Sequence, residues 1–220
     1  MKYIRAILFL FMYIGIILGF SFFLNFFIIP VYASMIAMIL GGITIICLYS
    51  YNLGDTIFEN IKLFFIEILN INKFTLLVIF KSICFGVLTL VFMILFHTLI
   101  PSGYAEQNEF TQRILGSDNL FQTIIMFIYS VFFASIFEEI VFRGILHHKG
   151  VGWFFSSFVF AILHIDFGNI SATSNSIIFF TSFVAGVIFY FLYVRYKTII
   201  APIIAHSTYN LIVLLIVLFL

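Results

Sequence analysis

Long apolar stretches separated by short polar segments recur along the whole chain. Most stretches are close to the roughly twenty residues with which an α-helix crosses the hydrocarbon core of a bilayer, at about 1.5 Å per residue, and the fifth is short. The pattern therefore predicts seven membrane-spanning helices. Their predicted ranges are 6–27, 31–51, 74–100, 121–146, 151–165, 177–194 and 198–220.

Residues 56–69 (TIFENIKLFFIEIL) differ from these stretches because they contain three charged side chains, Glu59, Lys62 and Glu67. We predict an amphipathic helix that lies along the membrane interface, with an eighth crossing as the alternative. The predicted fold is an all-α, polytopic membrane helix bundle of about seven transmembrane helices, or eight if 56–69 also crosses. It forms a single membrane domain over 1–220.

The composition agrees with a membrane protein. Of the 220 residues, 64% are hydrophobic and only 9% are charged, which leaves too little polar surface for a soluble domain. The net charge is +1, and no segment interleaves basic with aromatic residues. Nucleic acid is therefore excluded as a partner and membrane lipid is expected. The sequence leaves the oligomeric state open.

Basic residues indicate the orientation in the membrane. With the N-terminus in the cytoplasm, nearly all Lys and Arg fall at inner ends or inner loops, and Arg113 alone lies outside. We predict a multi-pass cell-membrane protein of this orientation. Abundant Phe, Ile, Tyr and Asn suggest an AT-rich genome and a bacterial plasma membrane. Glu138, His164 and His206 then all lie roughly 12–20 Å below the cytoplasmic face.

The stretch FEEIVFRG, residues 137–144, places two carboxylates within an apolar helix. A carboxylate at membrane depth is costly unless it is paired, hydrated or neutralised. Glu139 and Arg143 are four residues apart, so they can form a buried ion pair on one helix face. Glu138 points about 100° away and has no such partner in its own helix. These two acids are therefore expected to have different roles.

Polar residues on two further helices are predicted at a similar depth. His164 lies near the end of the fifth span with Phe160 one turn before it, and His206 and Asn210 share a face of the last span. A lone intramembrane His is often only a helix-to-helix hydrogen bonder, and a Glu pair at a helix end can be an interfacial anchor. Together, however, an unpaired Glu, two His and an Asn are the components of a hydrolytic site.

Three motifs in this order resemble those of the CPBP family of intramembrane proteases, the CAAX-prenyl-endopeptidase and bacteriocin-processing group also called Abi. The motif region is 121–220. The motifs are Glu138-Glu139-x-x-x-Arg143, Phe160-x-x-x-His164 and His206-x-x-x-Asn210.

The resemblance implies an intramembrane, glutamate-dependent endopeptidase. Glu138 and His164 would activate a water, and His206 and Asn210 would stabilise the oxyanion. Glu139 with Arg143 would hold the architecture, and we group Phe160 with them.

The family is often labelled metallo-, and zinc held by Glu138, His164 and His206 is the alternative to a metal-free site. The chain lacks the H-E-x-x-H zinc signature, so no cofactor is required in the preferred interpretation.

Two other classes of function stay open. A membrane immunity factor or regulatory scaffold would bind a partner through its spans without cleaving it. A proton-coupled transporter would also bury Glu and His at mid-membrane, but it usually adds an internal repeat, which this chain lacks. For an endopeptidase, the expected substrates are membrane-associated or lipidated peptides and proteins reached from the cytoplasmic leaflet. They include prenylated CAAX tails, pheromone precursors and bacteriocin leaders.

Overall fold

The computed structural model describes most of the C-terminal two thirds of the chain and short pieces before it. The described residues are 11–12, 14–16, 36–37, 39–44, 46–47, 57–99, 120–148, 150–165 and 172–219. The pieces within the first two predicted spans are helical, but most of those two spans lies outside the described residues. The description below therefore concerns residues from 57 onward.

Six longer helices follow one another in this part of the chain, with a short 3₁₀ helix, Ile71–Lys73, between the first two. They are α1 (Ile57–Leu69), α2 (Leu76–Leu99), α3 (120–148), α4 (Trp153–Ile162), α5 (Ala172–Tyr196) and α6 (Ile200–Phe219). The described residues form helices and connecting turns without any strand, which confirms the all-α prediction.

Three of these helices are long and apolar enough to cross a membrane. The candidate spans are Leu76–Phe96 in α2, Thr123–Ile145 in α3 and Asn175–Tyr196 in α5. The prediction of about seven crossings is not confirmed by the described residues. With 10 residues, α4 extends only about 15 Å, roughly half of a hydrocarbon core, where a full span over 151–165 had been predicted.

Helix α1 covers nearly all of the segment predicted to lie at the interface. Its 13 residues extend about 20 Å, which is too short for a full crossing. Leu63 and Ile66 are 60% and 59% exposed, so an apolar face of this helix points away from the bundle. Its other side is attached to the chain between α5 and α6, where the Ile199 amide donates to the Ile68 carbonyl at 2.7 Å. Its position in the interface stays a prediction.

Helix α3 contains two π-helical segments, Tyr129–Ala134 and Ile140–Ile145, on either side of the turn Ser135–Glu139. A π-helical turn widens the helix and changes the direction of the side chains that follow it. Side chains from other helices donate to carbonyls in both segments. Asn210 Nδ2 donates to the Ser130 carbonyl at 2.9 Å, and Ser156 Oγ donates to the Phe142 carbonyl at 3.1 Å. The turn that carries both glutamates is thereby fixed to α4 and α6.

Two glycines allow the helices around the site to approach closely. A Cβ on Gly86 of α2 would lie 2.5 Å from the Ala205 carbonyl oxygen of α6. A Cβ on Gly186 of α5 would lie 3.1 Å from Ser157 of α4. Since backbone cannot retreat as a flexible side chain can, Gly86 sets the distance between α2 and α6. These contacts bring four helices around one buried region.

The main core lies at the C-terminal end of α3. Ile140, Val141, Phe142 and Ile145 are buried there, and Phe160 of α4 packs against them. The rings of Phe142 and Phe160 meet edge to face with centroids 5.3 Å apart. This apolar core encloses the charged residues described next, and so removes them from water.

Candidate active site

A buried network joins α3, α5 and α6. Arg143 Nη1 donates to Glu139 Oε1 at 3.1 Å, and Arg143 Nε lies 3.1 Å from Glu139 Oε2. Both side chains are fully buried. Arg143 Nη2 donates to the Gly186 carbonyl at 2.9 Å, so the guanidinium also holds α5. This is the ion pair that the four-residue spacing indicates. The guanidinium meets the carboxylate through a two-pronged contact, of which the Nη1–Oε1 prong is the hydrogen bond.

Aromatic rings surround the Arg143 guanidinium. Its central carbon lies 4.6 Å from the ring centroid of Phe160 and 5.6 Å from those of Phe142 and Phe189. Aromatic faces attract a cation, and the effect is larger where water is excluded. Phe160 therefore contacts the buried charge and forms part of the wall beside His164, whose ring centroid lies 4.4 Å away.

His206 is oriented by the same network. Its Nδ1 lies 3.0 Å from Glu139 Oε1, and its ring stacks on Phe189 with centroids 4.9 Å apart. The Glu139 carboxylate is ion-paired with Arg143 and can only accept a hydrogen bond. His206 Nδ1 therefore carries the proton and donates to Glu139 Oε1. The other ring nitrogen, Nε2, then faces Glu138.

His164 lies in a turn two residues beyond the end of α4, and not within a helix as predicted. The His164 amide donates to the Ala161 carbonyl at 3.1 Å, which tightens the last turn and leaves the Phe160 carbonyl without its usual helical partner. His164 Nδ1 lies 2.7 Å from that Phe160 carbonyl and satisfies it. This bond assigns the proton to Nδ1 and leaves Nε2 with a lone pair.

The two imidazoles converge on Glu138. Glu138 Oε2 lies 3.8 Å from His164 Nε2 and 3.9 Å from His206 Nε2. Both distances are too long for a hydrogen bond, and Oε2 is buried without a hydrogen-bond partner among the described residues. A water between these three atoms could donate to Glu138 Oε2 and to His164 Nε2, and could accept from His206 Nε2 when that nitrogen carries a proton. The structure thus brings together a carboxylate and two imidazole nitrogens around a gap wide enough for one water.

Asn210 lies on the same face of α6 as His206, one turn further on. Its Nδ2 donates to the Ser130 carbonyl at 2.9 Å and to Ser135 Oγ at 3.2 Å. Both amide hydrogens are therefore directed at α3. To donate to an oxyanion, Asn210 would have to give up one of these two hydrogen bonds. The bond to the Ser135 hydroxyl is the longer of the two.

A cavity of about 40 Å³ borders His164, His206 and Asn210. Since a water needs roughly 10–15 Å³ of such space, the cavity has room for at least one. Its far wall includes Thr89 and Met93 of α2, which no sequence motif had indicated. Tyr209 also borders it, and its hydroxyl donates to the Met93 sulfur, which ties α6 to α2.

The zinc alternative fits this geometry poorly. Nitrogen and oxygen ligands of one tetrahedral zinc lie about 3.4 Å apart, given metal–ligand bonds of about 2.0–2.2 Å. The Glu138 oxygen lies 3.8 Å from His164 Nε2 and 3.9 Å from His206 Nε2. Within the part of the chain that the structure describes, no three His, Cys, Asp or Glu side chains are placed to hold a metal ion.

Several contacts of the site were not apparent from the sequence. Phe189 and the Gly186 carbonyl come from α5, which carries none of the motifs. Ser135 and Ser156 gave no signal beyond being small and polar. Ser130 did have a sequence signal, because it stands with Ala134 and Glu138 at four-residue spacing. Small residues at that spacing indicate a close helix contact, and Asn210 of α6 makes it.

Comparison with known proteins agrees with the motifs. Residues 120–212 match the family model described as type II CAAX prenyl endopeptidase Rce1-like. The matched range contains every residue of the three motifs, whereas Thr89 and Met93 of the cavity wall lie before it. This match confirms the resemblance of these residues to the CPBP and CAAX proteases. The matching family model describes CAAX prenyl endopeptidases, which are hydrolases. No curated protein and no solved structure matches the chain.

Proposed function

We propose that the protein is an intramembrane glutamate-dependent endopeptidase that hydrolyses peptide bonds without a metal ion. The observation that carries the proposal is the convergence of Glu138 Oε2 with His164 Nε2 at 3.8 Å and His206 Nε2 at 3.9 Å. A peptide bond is attacked by water only if a base removes a proton and donors stabilise the oxyanion. Groups suited to both tasks border the same gap.

In the proposed reaction, Glu138 and His164 hold a water by its hydrogens, and Glu138 takes one proton as the water oxygen bonds to the carbonyl carbon. The carbon–nitrogen bond then breaks, and the leaving amine receives that proton from Glu138. Proton transfer by a positioned side chain typically accelerates such a step by about 10²–10⁴-fold.

The oxyanion would be stabilised from α6. His206 Nδ1 donates to Glu139, so its Nε2 can donate only in the imidazolium form, for which Glu139 is the counter-ion. Asn210 would add its amide by releasing Ser135 Oγ. Each preorganised donor of this kind is worth on the order of 3 kcal/mol in the transition state. Glu139, Arg143 and Phe160 hold these groups in place.

The proposed substrates are membrane-associated or lipidated peptides and proteins. Three helices able to span a membrane surround the site, so a substrate anchored in the bilayer reaches it laterally. Prenylated CAAX tails agree with the family, and pheromone or bacteriocin precursors present the same chemistry of a peptide with an apolar anchor. We propose a bacterial plasma membrane with the N-terminus and the access route on the cytoplasmic side.

The test is cleavage by purified protein in proteoliposomes, with farnesylated and unlipidated peptides and detection by mass spectrometry. We expect wild type to cleave lipidated peptides and to incorporate one oxygen from ¹⁸O-labelled water into the new carboxyl terminus. Glu138→Gln removes the base with almost no change in volume, so cleavage should fall about 10²–10⁴-fold.

The matched control is Lys81→Gln, which removes one charge at an exposed position on α2 and should cleave like wild type. Equal cleavage by Glu138→Gln and wild type would refute the proposal. Substrate uptake without proteolysis would favour a transporter, and a cellular phenotype rescued equally by Glu138→Gln would favour an immunity or regulatory scaffold.

A further inference from the structure

A second cavity, of about 390 Å³, opens where α1, α3 and α5 end. It is lined by Glu67, Asn70, His147, Tyr193, Val194 and Lys197, and shares no lining residue with the cavity beside His206. Along α3, His147 lies nine residues beyond Glu138, or about 13 Å toward the other end of the helix. The volume of this second cavity falls within the range of about 300–1,000 Å³ that small-molecule sites occupy.

The walls of this cavity are held by specific contacts. The Ile199 amide donates to the Ile68 carbonyl, and the Thr198 hydroxyl donates to the Leu69 carbonyl, so the end of α1 is attached to the segment after α5. His147 Nδ1 lies 2.9 Å from the Tyr190 hydroxyl, and its ring meets that of Tyr193 with centroids 5.1 Å apart. The cavity is therefore preformed.

Two of its lining residues adopt the left-handed backbone conformation. Lys197 follows the last residue of α5 with a φ of 55°, and Asn70 follows α1 with a φ of 39°. Their amides close the helix ends on the Tyr193 and Ile66 carbonyls. Glycine is the usual residue at such a position, and asparagine is tolerated. Lysine is strained there, and it is one of the residues that line the cavity.

The charges of the cavity are of both signs. Lys197 brings a cation from the end of α5, and Glu67 brings a carboxylate from α1. A carboxylate accepts several hydrogen bonds, so Glu67 can bind a ligand in addition to its partners in the protein. The Asn70 amide and the Tyr193 hydroxyl add neutral polar groups. A ligand that carries an anion and a cation a few ångströms apart matches this set.

Exposed apolar residues flank the cavity on the α1 side. Ile66 is 59% exposed and Ile71 is 68% exposed, and they stand next in sequence to the lining residues Glu67 and Asn70. In a membrane protein such residues contact acyl chains. The combination of a polar, mixed-charge cavity with an apolar border is typical of the surface beneath a phospholipid headgroup.

We propose that this cavity binds the zwitterionic phosphoethanolamine headgroup of a membrane phospholipid. The phosphate lies against Lys197 and Asn70, the ammonium lies against Glu67 and Tyr193, and the acyl chains lie along the exposed residues of α1. Lysine binds phosphate as a point charge, and the carboxylate selects a headgroup with an amine over one with a net negative charge. The site is separate from the proteolytic one.

The test measures binding of dihexanoylphosphatidylethanolamine to the purified full-length protein in detergent. The comparison ligands are dihexanoylphosphatidylglycerol and water-soluble phosphoethanolamine. We expect wild type to prefer the ethanolamine lipid over the glycerol lipid by about tenfold, since one charge-assisted contact is lost. Glu67→Gln should abolish this preference. If free phosphoethanolamine bound as tightly as the ethanolamine lipid, the cavity would not be a lipid site.

Lys197→Gly should weaken binding of the ethanolamine lipid by about tenfold or more. Glycine relieves the left-handed strain, so this variant should unfold at no lower temperature than wild type, which separates lost binding from lost folding. Arg195→Gln is the matched control, because it removes one charge outside the lining residues, and it should bind like wild type. Binding by Lys197→Gly within twofold of wild type would refute the site.

Binding does not require cleavage. Glu138→Gln protein should therefore retain the ethanolamine lipid even if it cleaves nothing, and the two proposals fail independently. Loss of lipid binding in Glu138→Gln would contradict the separation of the two cavities.

Discussion

Glu138 and Glu139 are neighbours in sequence with opposite surroundings. Glu139 is fully buried and contacts both Arg143 and His206, whereas the Glu138 side chain is 16% exposed and its Oε2 faces two imidazoles across a gap. The step of about 100° between consecutive helical residues is enough to separate them. One acid therefore fixes the architecture, and the other is available for the proposed chemistry.

Arg143→Leu should destabilise the protein by about 3–5 kcal/mol, because it leaves the Glu139 carboxylate buried without its counter-ion. It also removes the bond to the Gly186 carbonyl. Thermal unfolding of the purified protein in detergent measures the loss. Arg143→Lys is the comparison, since lysine keeps the charge but cannot make the two-pronged contact, and it should lie between leucine and wild type. Equal unfolding temperatures for all three would contradict the buried pair.

Removal of divalent metal should leave cleavage unchanged, because the proposed site activates water through side chains alone. The measurement is the rate of peptide cleavage by protein treated with a strong chelator and then dialysed, together with the metal content of the sample. A rate that falls with chelation and returns only with zinc would contradict the metal-free proposal and reinstate Glu138, His164 and His206 as ligands.

At the scale of elements, the long apolar helices were the most predictable part. The pattern indicates spans over 74–100 and 121–146, and the helices are Leu76–Leu99 and 120–148. It did not indicate the two π segments of α3. Their carbonyls are met by Asn210 and Ser156, which come from other helices, and such tertiary partners leave no trace in the periodicity of α3 itself.

The early end of α4 was missed for a similar reason. Residues 151–165 are apolar enough to continue as a helix, but the structure tightens the chain after Ile162 and lets His164 bond to the Phe160 carbonyl. An imidazole competing for a helix carbonyl is a local event that hydropathy does not report. The consequence is that His164 is held at a helix terminus, near Glu138.

Gly86→Ala should separate α2 from α6 and lower stability by on the order of 1–3 kcal/mol, since the new Cβ would lie 2.5 Å from the Ala205 carbonyl oxygen. Cleavage should fall too, because Ala205 precedes His206. Thermal unfolding and cleavage rate are both measured. Gly15→Ala is the control, because among the described residues nothing lies within 4 Å of a Cβ added there. Equal effects of the two substitutions would show that helix spacing at Gly86 is unimportant.

At the scale of the whole molecule, the site exists only when the bundle is folded. Its groups come from α3, from the turn after α4 and from α6, and α5 supplies Phe189 and the Gly186 carbonyl. Helical spacing and estimated depth were sufficient to place Glu138, His164 and His206 together. Spacing and depth did not predict that the Asn210 amide binds α3. Its partners there depend on the π segment around Ser130.

A double-mutant cycle on cleavage tests whether these groups act as one unit. Residues that share one water are strongly non-additive, so removing a second member costs little once the first is gone. We expect Glu138→Gln and His164→Ala each to reduce kcat/KM by about 10²–10⁴-fold, and the double variant to be little worse than the poorer single variant. Losses that multiply, or a single variant that cleaves like wild type, would contradict a shared water between the carboxylate and the imidazole.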